Sequence, residues 1–186
     1  MGCESRSSVA AAGSLAQMSP FANFGIEFGL SLLVFGLLAK WYAWPFLRAR
    51  PVTQALLILL VPFLPRYLGL MSLVPGVVDP VVTRSAFAFY QAYGDLLAFV
   101  LAVAAFVLVR ARSAYALGAV WIFNIFGMLD FLQSVLRGVL SDTGGSLGAF
   151  WYIPVCYVPL GLVVHYLIFV VLVTRSDEYA ADREAL

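Results

Sequence analysis

A chain of 186 residues that is 63% hydrophobic and 11% charged, with a mean hydropathy of +0.96, lies far from the roughly 25% charged content of a soluble domain. The expected class is all-α, a polytopic membrane helix bundle. A net charge of +1 offers no clustered basic surface, which excludes a nucleic-acid partner. Two cysteines, Cys3 and Cys156, form no CxxC pair and predict neither a disulfide scaffold nor a thiol redox centre.

Residues 1–19, MGCESRSSVAAAGSLAQMS, have neither a basic nor an apolar stretch of signal-peptide type and read as a disordered polar tail. Arg6 stands where an N-myristoylation motif wants Ser or Thr. The first span begins at Ser19-Pro20, an N-cap followed by a proline whose missing N–H costs nothing in a first turn, and reaches about Trp44. The second starts after Arg50-Pro51 and runs toward Pro75, with Pro62 and Pro65 expected to break it. Ser85 to Val109, Ser113 to Leu136 and Phe150 to Val173 read as the third, fourth and fifth. The transmembrane domain is thus placed at 20–174 and a cytoplasmic C-terminal tail at 175–186.

Basic residues set the expected orientation. Lys40, Arg48, Arg50, Arg110, Arg112, Arg175 and Arg183 gather at one side, against Arg6, Arg84 and Arg137 at the other. This puts the N-terminus outside and the C-terminus in the cytoplasm. Trp41, Trp44 and Trp151 fit an interfacial belt, and Trp121 lies deeper.

Within these apolar spans stand Glu27, Arg66, Asp95, Asp130 and His165. A charged side chain near the bilayer centre costs at least about 2.5–3.5 kcal/mol on insertion scales, so each is expected to face protein, water or a ligand. Helical rise puts Asp95 roughly 15 Å into its span, and all five can converge in the outer half of the bilayer. Gln91 shares a face with Asp95, and Asp130, Gln133 and Arg137 form one stripe. Asn124 is rotated about 120° from Asp130, which assigns it to a different contact. Arg66 is the expected cation for Asp95 or Asp130. Tyr90 and Tyr93 are candidate hydroxyl donors. The candidate ligand-binding or proton- or ion-coupling set is therefore Arg66, Asp95, Asp130, His165, Glu27, Gln91, Gln133, Tyr90 and Tyr93.

The competing reading is an interhelical polar network that fixes helix register alone, at about 0.6 kcal/mol per hydrogen bond. Gly25 and Gly29, a GxxxG pair, and Ala98 with Ala102 read as close-packing surfaces. LVPGVVDPVV is apolar for a loop and reads as a lid or an interfacial connection. SDTGGSLG lacks the Lys-Ser/Thr ending of a phosphate loop and reads as a flexible outer turn. One histidine excludes bis-histidine haem within the chain. Lys40, the sole lysine, sits at a span end and disfavours a buried retinal Schiff base. No HExxH, GxSxG or Walker pattern occurs. No cofactor is assigned and no metal site is expected, although His165 with the acids is a donor set of a type that divalent ions accept.

The last span, WYIPVCYVPLGLVVHYLI, resembles the final helix of the sterol-isomerase and sigma-2 receptor-like group. The resemblance covers that span alone. The acids of that group have no counterparts here, five spans depart from its four-helix core, and it implies nothing further for this chain. Three functions fit: binding or translocation of a small ligand, ion or proton; acid/base catalysis on a lipid or isoprenoid by His165 and a carboxylate; or an accessory subunit of a larger membrane complex. The expected partners are the lipid bilayer, with a small-molecule or lipid ligand and a membrane-protein partner as the options that follow from these readings.

Overall fold

The computed structural model describes residues 19–140 and 144–184. The expected polar tail at 1–19 lies outside them except for Ser19. Among the described residues five helices are long and apolar enough to cross a membrane: α1 (Pro20–Arg48), α2 (Val52–Leu73), α3 (Ala86–Arg110), α4 (Ala116–Leu140) and α5 (Gly148–Thr174). A sixth, α6 (Ser176–Glu184), follows. Among the described residues no strand forms, and one isolated bridge joins Pro75 to Val78. The chain is an all-helical, multi-pass integral membrane protein.

Ser19 caps α1 as its sequence predicts, its hydroxyl accepting from Ala22 N at 3.2 Å. The helix does not end at Trp44. It passes through a π turn, Ala39–Ala43, and continues over Pro45 to Arg48. α5 repeats the device, with a π turn at Ile153–Tyr157 ahead of Pro159. A proline ring clashes with the carbonyl one α-turn earlier, and the wider i→i+5 winding relieves that clash.

In α2 helical winding is continuous across Pro62 and Pro65 and tightens from α to 3-10 at Val61. The tightening decides which residues face inward. Phe63, Arg66, Gly69 and Ser72, each three apart, are all buried, and a three-residue turn stacks such positions on one side. At α-helical pitch Ser72 would sit about 180° from Phe63. Pro65 cannot donate to the Pro62 carbonyl, and the Tyr157 hydroxyl of α5 donates to it instead at 2.8 Å.

α2 and α4 both pack along α3, whose inward stripe is Ala88, Gln91, Ala92, Asp95, Ala98, Ala102, Ala105 and Val109. Small residues at 3–4 spacing let backbones approach closely where lipid tails provide no hydrophobic drive between helices. α5 closes the bundle, and α1 leans against α5, burying only Ala39 and Leu47. At the end where α1 begins, the loop after α2 and the loop before α5 hold each other. Asp79 N donates to the Ser146 carbonyl at 3.1 Å, Ala149 N donates to that of Val77 at 3.2 Å, and Val78, Val82, Leu147 and Phe150 form a small core between them. The described part of SDTGGSLG is thus bonded to the LVPGVVDPVV loop; Ser141–Thr143 lie outside the described residues.

At the opposite end the expected tail is helical and docked. Tyr179 of α6 is buried in the main core, Thr53 donates to Asp182 through its amide at 3.3 Å and its hydroxyl at 2.8 Å, and the Arg112 guanidinium donates to the Asp182 carbonyl.

Candidate functional site

Four spans contribute to one buried network. The Arg66 side chain, on the 3-10 stripe of α2, is fully shielded from solvent. Its Nε donates to Asp95 Oδ1 of α3 at 2.8 Å and its Nη2 to Asp130 Oδ2 of α4 at 2.6 Å. Nη1 donates to the Gly127 carbonyl at 3.3 Å and points at His165 Nε2 of α5 at 3.4 Å. The guanidinium also lies 3.6 Å from the centre of the Phe131 ring, a cation–π arrangement in a water-poor site.

Each carboxylate has a second partner on its own helix. Gln91 Nε2 donates to Asp95 Oδ2 at 2.5 Å and Gln133 Nε2 to Asp130 Oδ1 at 3.2 Å. Arg137 Nε donates to Gln133 Oε1 at 2.9 Å, so a continuous polar chain runs from the exposed Arg137 inward to Arg66. His165 is fully buried. Because Arg66 donates toward Nε2, the proton is assigned to Nδ1, which donates to Asn124 Oδ1 at 2.7 Å, while Asn124 Nδ2 donates to the His165 carbonyl at 3.1 Å. Rings pack the imidazole: Phe63 at 4.2 Å, Phe123 at 5.3 Å and Phe131 at 5.7 Å between centroids.

Glycines make the room. A methyl group at Gly69 of α2 would overlap the Asp95 carboxylate, and one at Gly94 of α3 would overlap that of Asp130. At Gly127 of α4 it would lie 2.6 Å from His165 Cε1, and at Gly161 of α5 it would overlap the Phe131 ring. Each span therefore gives up a side chain where its neighbour inserts one. The expected packing glycines are elsewhere: among the described residues no atom lies within 4 Å of a methyl placed at Gly25 or Gly29, so neither glycine is a contact between the described helices.

Of the expected residues, Arg66, Asp95, Asp130, His165, Gln91 and Gln133 come together. Three do not. Glu27 is exposed and accepts from Trp151 Nε1 at 2.7 Å. Tyr90 and Tyr93 are about half exposed on the outside of α3; Tyr90 lies under the Arg137 guanidinium, 4.3 Å from the ring centre, and Tyr93 stacks on Phe89 at 4.5 Å. Both tyrosines are rotated away from the Gln91–Asp95 face by the helical pitch. Asn124, expected at a separate contact, does avoid Asp130, but through His165 it belongs to the network.

Among the described residues no three His, Cys, Asp or Glu side chains gather as metal ligands. The centre on which His165, Asp95 and Asp130 converge is filled by the Arg66 guanidinium.

A cleft opens beside the network toward the end where α1 begins, with a cavity volume of about 50 Å³. Phe21, Phe24, Phe87, Phe150 and Pro154 supply apolar walls, and Gln91 and Ser134 are its buried polar lining. Ser134 Oγ is shielded and has no hydrogen-bond partner among the described residues, an arrangement that costs about 1–3 kcal/mol when left unmet.

The family model described as a domain of unknown function (DUF8737) matches residues 23–173. The chain belongs to this family. No curated protein and no solved structure gives a significant match. The matched region holds every network residue and both lining polar groups, and it stops short of α6.

Proposed function

We propose that this protein binds a small amphipathic ligand in the cleft between α1, α3, α4 and α5, with the ligand's polar end on Ser134 and Gln91. The unpartnered Ser134 hydroxyl carries the reading, because a buried hydroxyl facing an apolar cleft lacks the partner a ligand brings. Gln91 links that cleft to the charged cluster through Asp95. With both carboxylates ionised the cluster is one positive charge short of balance, and unbalanced charge in a low-dielectric interior is expensive. A cationic ligand group or a transferable proton completes it, which favours ion- or proton-linked binding or transport. The notion that the cleft faces outward, with the C-terminus in the cytoplasm, rests on the basic residues at the other end.

Native mass spectrometry of the protein released from lipid nanodiscs tests this. A small molecule held by the unaltered chain and lost on Ser134→Phe, with thermal stability kept, is the expected result. Equal retention by both proteins, or no retained molecule in either, overturns it.

A second reading has its own observation. Arg66, Asp95, Asp130, Gln91, Gln133, Asn124 and His165 all have polar partners within the network, as a helix-register lock in an accessory subunit requires. It predicts a stoichiometric membrane-protein partner and indifference of assembly to Ser134→Phe. Acid/base catalysis by His165 receives the least support, since both ring nitrogens are engaged and the ring is fully enclosed.

A further inference from the structure

A second hollow lies at the other end of the bundle, between α1 and α5, and shares no residue with the charged cluster or the Ser134 cleft. Leu32, Gly36 and Ala39 of α1 and Leu162, Tyr166 and Val170 of α5 line it, and its volume is about 530 Å³. A methyl at Gly36 would meet no atom of the described residues within 4 Å, so the missing side chain leaves this wall open. Lys40 and Trp44 stand at its end. Trp44 is also a wall of an adjoining hollow of about 420 Å³, lined by Arg48, Thr174, Arg175 and Glu178. The groove therefore runs from an apolar trough to a charged mouth.

Gly36, Lys40, Trp44 and Arg48 are each four apart. In an unbroken α-helix such a series drifts about 40° per step, and the π turn at Ala39–Ala43, with fewer degrees of turn per residue, offsets part of that drift. From Leu32 to Lys40 the trough spans about 12 Å by helical rise, close to one leaflet's share of a roughly 30 Å hydrocarbon core.

The charges at the mouth are unequal in availability. Arg175 is committed: it pairs with Glu178 at 2.6 Å and donates to the carbonyls of Leu47 at 3.2 Å and Arg50 at 2.9 Å. Glu178, the acid lining the mouth, is held in that pair. Lys40 has no hydrogen bond or ion pair among the described residues, and Arg48 has only the Trp44 ring, 5.9 Å from its guanidinium carbon. We propose that this groove holds one anionic glycerophospholipid of the surrounding bilayer, an acyl chain along the Gly36 trough and the phosphate between Lys40 and Arg48. Basic residues at a span end alone would attract anionic lipid diffusely; the groove holds one lipid in place.

Trp44 reports on occupancy directly. The full chain with Trp41, Trp121 and Trp151 changed to Phe is placed in phosphatidylcholine nanodiscs doped with dibrominated phosphatidylglycerol or dibrominated phosphatidylcholine. The expected result is quenching of Trp44 by the anionic lipid at a roughly thirtyfold lower dose, what two nearby cations support. Lys40→Gln with Arg48→Gln should remove the headgroup preference, and Gly36→Leu should weaken quenching with the charges intact. Equal quenching by the two lipids in the starting protein, or a preference that survives Lys40→Gln/Arg48→Gln, overturns the proposal. Should Trp121→Phe disturb the fold, native mass spectrometry of the unaltered chain gives the same decision: one phosphatidylglycerol adduct, lost in the Lys40→Gln/Arg48→Gln protein, or none.

Discussion

α1 and α2 are nearly identical in mean hydropathy, 1.8 and 1.9, yet the most apolar window of α1 is 0% buried and that of α2 39%. Apolarity therefore does not decide which span is central. In water a leucine goes inside because the outside is polar; in a bilayer the outside is as apolar as the leucine. What selects α2 for the interior is Arg66 with Gly69 and Ser72, together with the proline-bearing sequence whose 3-10 winding aligns them. α1 brings no such stripe, and its one acid pairs at the rim with Trp151.

The sharpest way to break this contrast is steric. Gly94→Leu should prevent recovery of monodisperse protein by size-exclusion chromatography, because the new side chain meets Asp130, whereas Gly29→Leu in α1 should leave the elution profile unchanged. Next comes charge. Arg66→Met should lower stability by about 3–5 kcal/mol in a denaturant titration in mild detergent, since two buried carboxylates lose their shared cation. Adding Asp95→Asn and Asp130→Asn should return much of that loss; no recovery would mean that packing rather than charge made the difference.

Asn124→Leu should cost about 1–3 kcal/mol in the same titration by stranding the His165 Nδ1–H and its carbonyl. Glu27→Gln, at the α1 rim, should cost less than about 1 kcal/mol. The smallest effect is expected at α6. Hydrogen bonds from Arg175 hold the Glu178 carboxyl below its ordinary range, so its contribution is present at neutral pH and lost as pH falls through the lowered value. Glu178→Gln should slightly lower the neutral plateau of a thermal-shift profile and leave its acid end unchanged, which flattens the acid limb.

All five spans could be read from hydropathy, and the start of α1 from Ser19-Pro20. The end of α1 could not, because the π turn that carries it over Pro45 depends on accommodating a ring clash rather than on any polarity pattern. The meeting of Arg66, Asp95, Asp130 and His165 was legible because each is too costly to face lipid. Tyr90 and Tyr93 do not join them, and helical geometry alone turns them away: Tyr93 is about 200° from Gln91. Glu27 stays at the rim for a different reason, since its partner Trp151 arrives on the first turn of α5, 124 residues later. The glycines carried an unread signal. Gly69, Gly94, Gly127 and Gly161 each fall within four positions of Arg66, Asp95, Asp130 or His165, and a glycine beside an intramembrane charge marks where a neighbouring span inserts its own side chain.

The order of these residues along the chain matters during synthesis as well. Arg66 precedes Asp95 by 29 residues, Asp130 by 64 and His165 by 99. At a translation rate of about 5–20 residues per second, the first carboxylate follows the arginine by roughly 1.5–6 s and the second by roughly 3–13 s. During that interval α2 must either wait at the insertion machinery or enter lipid with an unpaired guanidinium. Biogenesis of this bundle thus has a built-in delay, set by the spacing between a cation and the anions that receive it.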